Sequence, residues 1–199
     1  IEQIDVTRRL IARYPDELAL ALTSADVQQA MQQGKIASLL GMEGGHSIGS
    51  SLAVIRQMYA LGARYLTLTH NSNTPWADAA TAAPEHDGLT GFGELVVREM
   101  QRIGMLVDLS HVSEATMLDT LDVIAGQQGA PVIFSHSGAR AVADHPRNVP
   151  DSVLQRLPAN GGIVMVVALP GFLSNNVREW NTRQAAEVSR LEALYPDSA

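Results

Sequence analysis

The chain has 199 residues, 46% of them hydrophobic, with a mean hydropathy of +0.02. That is enough apolar material to bury one domain core, which argues against intrinsic disorder. A formal net charge of −7 with scattered basic residues gives no general attraction to nucleic acid or anionic membrane, and no apolar run approaches the ~20 residues of a membrane helix. The absence of cysteine excludes a disulfide framework, a thiol nucleophile and thiolate-bound zinc, so a metal here must be held by histidine and carboxylate.

In chain order, residues 4–14 read as a helix, residues 17–22 as either strand or helix, and residues 25–33 as a helix with Ser24 as its N-cap. Five apolar runs then alternate with amphipathic stretches. The runs, at residues 36–42, 64–69, 105–110, 131–135 and 162–169, are predicted strands. The intervening helices carry Leu52, Ile55, Met58 and Tyr59; then Leu95, Val96, Met100 and Ile103; then Ala115, Leu118, Leu121 and Ile124, each set on an i, i+3, i+4 stripe. Gly62, Gly104 and Gly126 follow these helices, where a residue able to take positive φ ends the last turn. A final helix over residues 177–194 places Trp180, Val188 and Leu191 on one face. Alternating βα units mark an α/β fold with a parallel sheet. Strand starts recur roughly every 30 residues, close to the spacing of a TIM (β/α)8 barrel, of which this single domain, residues 1–199, supplies about five units. A doubly wound open sheet is the alternative.

Four consecutive strands end in a residue able to bind a metal or move a proton: Glu43, His70, His111 and His136. In a TIM barrel the C-terminal strand ends form the active-site face, so these side chains would converge on one mouth. Counting back by two from each reaches Gly41 and Leu39, Leu68 and Leu66, Leu109 and Val107, and Phe134 and Val132, a face expected to be the barrel interior. By the same count Asp108 is out of phase, and is read as a helix-side residue or one that supports a ligand from behind. A single histidine after a strand is more often a capped surface or core residue; four groups in equivalent places reverse that reading. For Glu43 the bland alternative is a solvated turn carboxylate. The glycines around it, Gly41, Gly44 and Gly45, allow close backbone approach to something. Residues 41–51 could cradle a phosphate, but they have neither the dinucleotide glycine spacing nor a Walker lysine. His46 is a candidate support for Glu43; His86 and His145 fall in loops and are read as exposed.

The stretches Gly41-Met-Glu-Gly-Gly-His46, Tyr65-Leu-Thr-Leu-Thr-His70 running on through Asn73-Thr-Pro-Trp-Ala-Asp78, Asp108-Leu-Ser-His111, and Ser135-His-Ser-Gly-Ala-Arg140 followed by Arg147-Asn-Val-Pro150 resemble the membrane (renal) dipeptidase family, binuclear zinc peptidases of the amidohydrolase type. The resemblance implies that Glu43 bridges two zinc ions and that His111 and His136 complete one of the metal sites. It also implies that His70 contacts the scissile carbonyl region as a catalytic and substrate-binding group, and that Arg147 binds the substrate's carboxylate. The implied activity is hydrolysis of the peptide bond of a dipeptide by a metal-activated hydroxide, with tolerance of a D-residue on the C-terminal side. The implied partner is a small peptide substrate; a homodimer is compatible with the resemblance, and a periplasmic or secreted location is favoured by it. Two family features have no counterpart: no His-x-Asp pair, which holds the other zinc, and no catalytic Asp near a last strand. The five strands would correspond to the third through seventh of the family. We therefore expect an internal piece of a longer chain, an open barrel arc with sheet edges near residues 36–40 and 163–167. The rival readings are a non-catalytic barrel relative that binds a ligand or partner, and an amidohydrolase acting on a cyclic amide.

Overall fold

The computed structural model describes residues 1–125 and 129–196. Gly126, expected to end a helix, lies outside the described residues. Helix α1 (Glu2–Arg13) leads into strand β1 (Leu18–Leu20), so of the ambiguous residues 17–22 the middle three are strand and none is helix. Helix α2 (Ser24–Gln32) starts one residue earlier than expected. Its cap is Thr23, not Ser24: the Thr23 hydroxyl accepts from the Asp26 N–H, and the Asp26 carboxylate accepts from the N–H groups of Leu22 and Thr23. Such a capping box satisfies backbone donors that the first turn leaves without partners.

The predicted strand at 36–42 is split by Leu39 into β2 (Ile36–Ser38) and β3 (Leu40–Glu43). β2 pairs in parallel with β1, so the sheet edge expected at 36–40 is covered there by the chain's own β1. β3 opens a five-stranded parallel sheet that continues through β4 (Ala63–Thr67), β5 (Leu106–Asp108), β6 (Ile133–Ser137) and β7 (Ile163–Val166), in that spatial order. Sequential order without reversal is the winding of a barrel wall, whereas a doubly wound sheet reverses direction at a switch point. Among the described residues no barrel closes. The outer edge of β7 is open as expected, with Ile163 58% and Val166 73% exposed.

Helices α3 (Leu52–Ala60), α4 (Gly91–Ile103) and α5 (Glu114–Ile124), with the short α6 (Asp151–Leu154) and α7 (Leu157–Asn160), cover one face of the sheet. Gly62 and Gly104 follow α3 and α4 with φ of 112° and 77°. On α4 the buried stripe is Gly93, Val96, Val97 and Met100; Leu95, expected on it, is half exposed. Beyond β7 come α8 (Pro170–Leu173) and α9 (Asn175–Leu194), which has no buried residue and leaves Trp180, Val188 and Leu191 exposed. No helix of the described residues is long and apolar enough to cross a membrane.

On β4, β5 and β6 the faces reverse the expectation from counting by two, whereas on β3 Gly41 and Glu43 share the inner face as the count has it. Leu66, Leu68, Val107, Leu109, Val132 and Phe134 are buried in one cluster with Ile55, Val96, Val97, Met100, Met117 and Leu121 of the helices, so they form the helix-packed face. The opposite face carries Gly41, Glu43, Tyr65, Thr67, Ser135 and His136 around a cavity of about 340 Å³. Asp108 also lies on this polar face, bonded to Thr67 and Ser135; of its two expected places, behind a ligand or on the helix side, it takes the first. An apolar layer belongs where helices press on it. The inner face can stay polar because its groups bond one another.

Between β4 and α4 runs a loop, residues 68–90, longer than connections usually are. Its organiser is Asp78, 1% exposed, whose carboxylate accepts from the N–H groups of Glu85, His86 and Gly88. Burial works against ionisation of Asp78, but these N–H groups outweigh it and hold its pKa below the usual carboxylate value. Asp78→Ala would strand three donors and is expected to cost about 3 kcal/mol. A fall in Tm of roughly 6–12 °C in a calorimetric scan checks this; an unchanged Tm would show that the loop does not depend on Asp78.

Candidate metal centre

Each of the four expected groups is brought to the polar mouth of the sheet, by a different local device. Glu43 ends β3, and the glycines around it make room for aromatic rings, not for a phosphate. A Cβ at Gly41 would enter the Tyr65 ring, and one at Gly45 would meet the Leu68 carbonyl and the Trp76 ring. The segment after Glu43 is a short 3₁₀ turn, Gly45–Ile48, which also argues against the phosphate cradle.

His111 follows β5 with φ of 71°, a left-handed conformation unusual for a residue with a Cβ. Its carbonyl is held by the Ala80 N–H at 2.7 Å and the Thr69 hydroxyl at 3.2 Å. Strain of this kind persists only where the surroundings impose it, and it collects at functional sites. His136 is turned by another route. Between Phe134 and Ser137 the register of β6 against β7 shifts, so Ser135 and His136 both line the cavity. A bulge re-aims a side chain that strict alternation would send to the other face.

The result is a triangle of ligand atoms. Glu43 Oε1 lies 3.1 Å from His111 Nε2 and 3.3 Å from His136 Nε2, and the two imidazole nitrogens are 3.0 Å apart. Zinc bonds of about 2.0–2.1 Å in tetrahedral geometry set ligand atoms about 3.3 Å apart, so this donor set fits a divalent ion. Glu43, His70 and His111 also form a group whose ligand atoms lie within 4.8 Å of one another. The His70 ring leans on that of His111, centroids 4.4 Å apart. His111 is 4% exposed; burial, aided by the charges of Arg147, His70 and His136, pushes its pKa down to about 3. Its imidazole is therefore neutral near pH 7, the state that can donate to a metal.

Behind the triangle sits Arg147, 8% exposed, without a carboxylate partner among the described residues. Its guanidinium lies over the Phe172 ring at 5.5 Å, reaches the His136 carbonyl at 3.5 Å, and keeps a buried Nε with no partner. Burial pulls its pKa down to about 10, against the opposing charges of Glu43 and Asp108, so it is cationic at neutral pH.

A family model described as membrane dipeptidase (peptidase family M19) matches residues 1–192. The chain belongs to the membrane dipeptidase family. Among its relatives, Dipeptidase 3 of Rattus norvegicus is 53% identical over 178 residues, 87% of this chain and 35% of that protein. Two solved structures share the fold. An amidohydrolase from Pseudomonas aeruginosa superposes with a TM-score of 0.75 at 28% identity, over 83% of this chain and 49% of its own. A metallo peptidase from Rhodobacter sphaeroides, liganded with a phosphinate mimic of the dipeptide L-Ala-D-Ala, gives a TM-score of 0.77 at 25% identity, over 86% and 49%. The chain thus spans about a third to a half of the length of these relatives.

Not every reading of the histidines survives. His46 does not bond Glu43; its Nε2 lies 3.0 Å from the Asn73 carbonyl and ties the 3₁₀ turn to the long loop. His86 and His145, expected to be exposed, are half-buried, one against the Thr74 carbonyl and the other accepting from the Arg147 N–H and packed on Phe172. Sequence reasoning also passed over Ser135 as a site residue. The signal was its place beside His136 in the Ser-His-Ser run.

Proposed function

We propose that this chain carries one wall of the active site of a zinc-dependent dipeptidase, with Glu43, His111 and His136 as metal ligands. The observation that carries the reading is the triangle of Oε1 and two Nε2 atoms, 3.0–3.3 Å on each side. His136 is preferred to His70 as the third ligand because its nitrogen already stands at the spacing that two ligands of one ion keep from each other. A divalent ion held there would supply Lewis acidity to the scissile carbonyl and acidify a bound water.

The remaining roles fall to this chain's own side chains. Glu43 has two oxygens, one facing the histidines and one left for a second ion; no His-x-Asp pair in this sequence completes that second site. His70, beside His111, is placed to hydrogen-bond the carbonyl oxygen as negative charge develops on it. Arg147 presents a buried, cationic fork suited to the free carboxylate at the C-terminal end of a dipeptide. The phosphinate mimic of L-Ala-D-Ala bound by the Rhodobacter sphaeroides relative supports a dipeptide substrate with a D-residue at that end.

The test is elemental analysis after dialysis against a weak chelator, with a substrate panel of dipeptides, N-acyl amino acids and cyclic amides. We expect zinc to be retained by the parent protein and lost from His111→Ala and His136→Ala, and dipeptides to be the preferred substrates. Unchanged zinc stoichiometry in both variants would overturn the ligand assignment. A preference for cyclic amides would overturn the dipeptidase reading.

A further inference from the structure

The side of His136 away from the triangle is tied to a buried carboxylate through one hydroxyl. Its Nδ1 lies 2.8 Å from Ser135 Oγ, and Ser135 Oγ lies 2.5 Å from Asp108 Oδ2. Asp108 is fully buried, and all its other partners are donors. Oδ2 also accepts from the Thr67 hydroxyl at 2.6 Å, and Oδ1 accepts from the N–H groups of Ser110 and Ser135, each at 3.0 Å.

These contacts fix the direction of every proton in the line. A carboxylate surrounded by four donors has no hydrogen to give, so the Ser135 hydroxyl must spend its single hydrogen on Asp108. Its oxygen can then only accept from His136, which places the ring proton on Nδ1. The lone pair is left on Nε2, the atom that stands 3.0 Å from His111 Nε2 and 3.3 Å from Glu43 Oε1. A histidine that binds a metal through one nitrogen is oriented by the bond its other nitrogen makes.

Resting on the dipeptidase reading for the metal but not for the proton, we infer that Asp108 and Ser135 are positioning residues that set the tautomer and aim of His136 through a carboxylate–hydroxyl–imidazole relay. The carboxylate is what gives the relay its direction. In Asp108→Asn the amide NH₂ can donate to Ser135 Oγ, which then donates to His136 Nδ1 and drives the ring proton to Nε2. The same amide substitution behind a catalytic histidine imposes the wrong tautomer in serine proteases. Ser135→Ala cuts the relay, whereas Ser135→Thr keeps the hydroxyl.

The experiment records NMR spectra of the imidazole nitrogens of the metal-free protein at mildly alkaline pH, so that neither zinc nor turnover enters the readout. The expected result is an Nδ1–H tautomer for His136 in the parent, in Ser135→Thr and in the control Thr67→Val, and its loss in Ser135→Ala and Asp108→Asn. Competition with a chelator should then show zinc affinity reduced roughly 10- to 100-fold in Ser135→Ala and Asp108→Asn and restored in Ser135→Thr. If Asp108→Asn does not fold, the contrast between Ser135→Ala and Ser135→Thr decides. An Nε2–H tautomer in the parent, or an Nδ1–H tautomer untouched by Ser135→Ala, overturns the relay even if zinc binding and hydrolysis are as proposed. The expected tautomers in a protein that binds no zinc would leave the relay standing and remove the dipeptidase reading instead.

Discussion

Glu43→Gln is expected to lower kcat/KM for a dipeptide by more than about a hundredfold, beyond the range seen when groups behind a ligand are removed. The amide is nearly the same size but carries no negative charge, and its NH₂ end is a donor where an acceptor is required. Because the Glu43 side chain is half exposed and sits at a strand end, folding should change by no more than about 0.5 kcal/mol. Steady-state kinetics, zinc content and a thermal melt on the same preparation separate the two effects. Turnover and zinc retention equal to the parent would refute the role given to Glu43. A large drop in Tm would show that Glu43 holds the fold, not the ion.

The second large effect is expected at Arg147. Arg147→Lys keeps the charge but replaces a planar fork with a point charge on a flexible stem, so one of two parallel bonds to a carboxylate is lost. A hydrogen bond to a charged group is worth about 1.5–3 kcal/mol, which corresponds to roughly a 10- to 100-fold loss in kcat/KM for a dipeptide with a free carboxylate. The matching dipeptide amide, which offers no carboxylate, should lose much less. Equal losses on the two substrates would mean that Arg147 acts through the packing of Phe172 and the His136 carbonyl, its visible neighbours in the fold.

The sequence by itself determined the family and the order of the elements. Glu43, His70, His111 and His136 stand at strand ends because βα units repeat along the chain, and that rhythm is a local pattern of apolar and polar residues. The motifs around these residues were specific enough to identify the family from the residues alone.

Only the tertiary structure decided which way the side chains face. Counting by two assumes an unbroken strand, and the strands here end in a left-handed residue at His111 and a bulge at Ser135 and His136. Both irregularities are imposed by contacts remote in sequence, the Ala80 N–H on the His111 carbonyl and the pairing of β6 with β7, so no local pattern records them. For the same reason the sequence leaves Asp108 open between the helix side and a place behind a ligand, and the bonds to Thr67 and Ser135 favour the second. Its alternation with Leu109 is visible in the sequence, but which of the two faces the helices is set by what packs there. Leu109 is drawn to the apolar helix layer, and Asp108 is left with the hydroxyls of Thr67 and Ser135, two strands that only the sheet brings to its sides. Local sequence fixes period; burial and partners across the sheet fix phase, and the fine geometry of this site is a matter of phase.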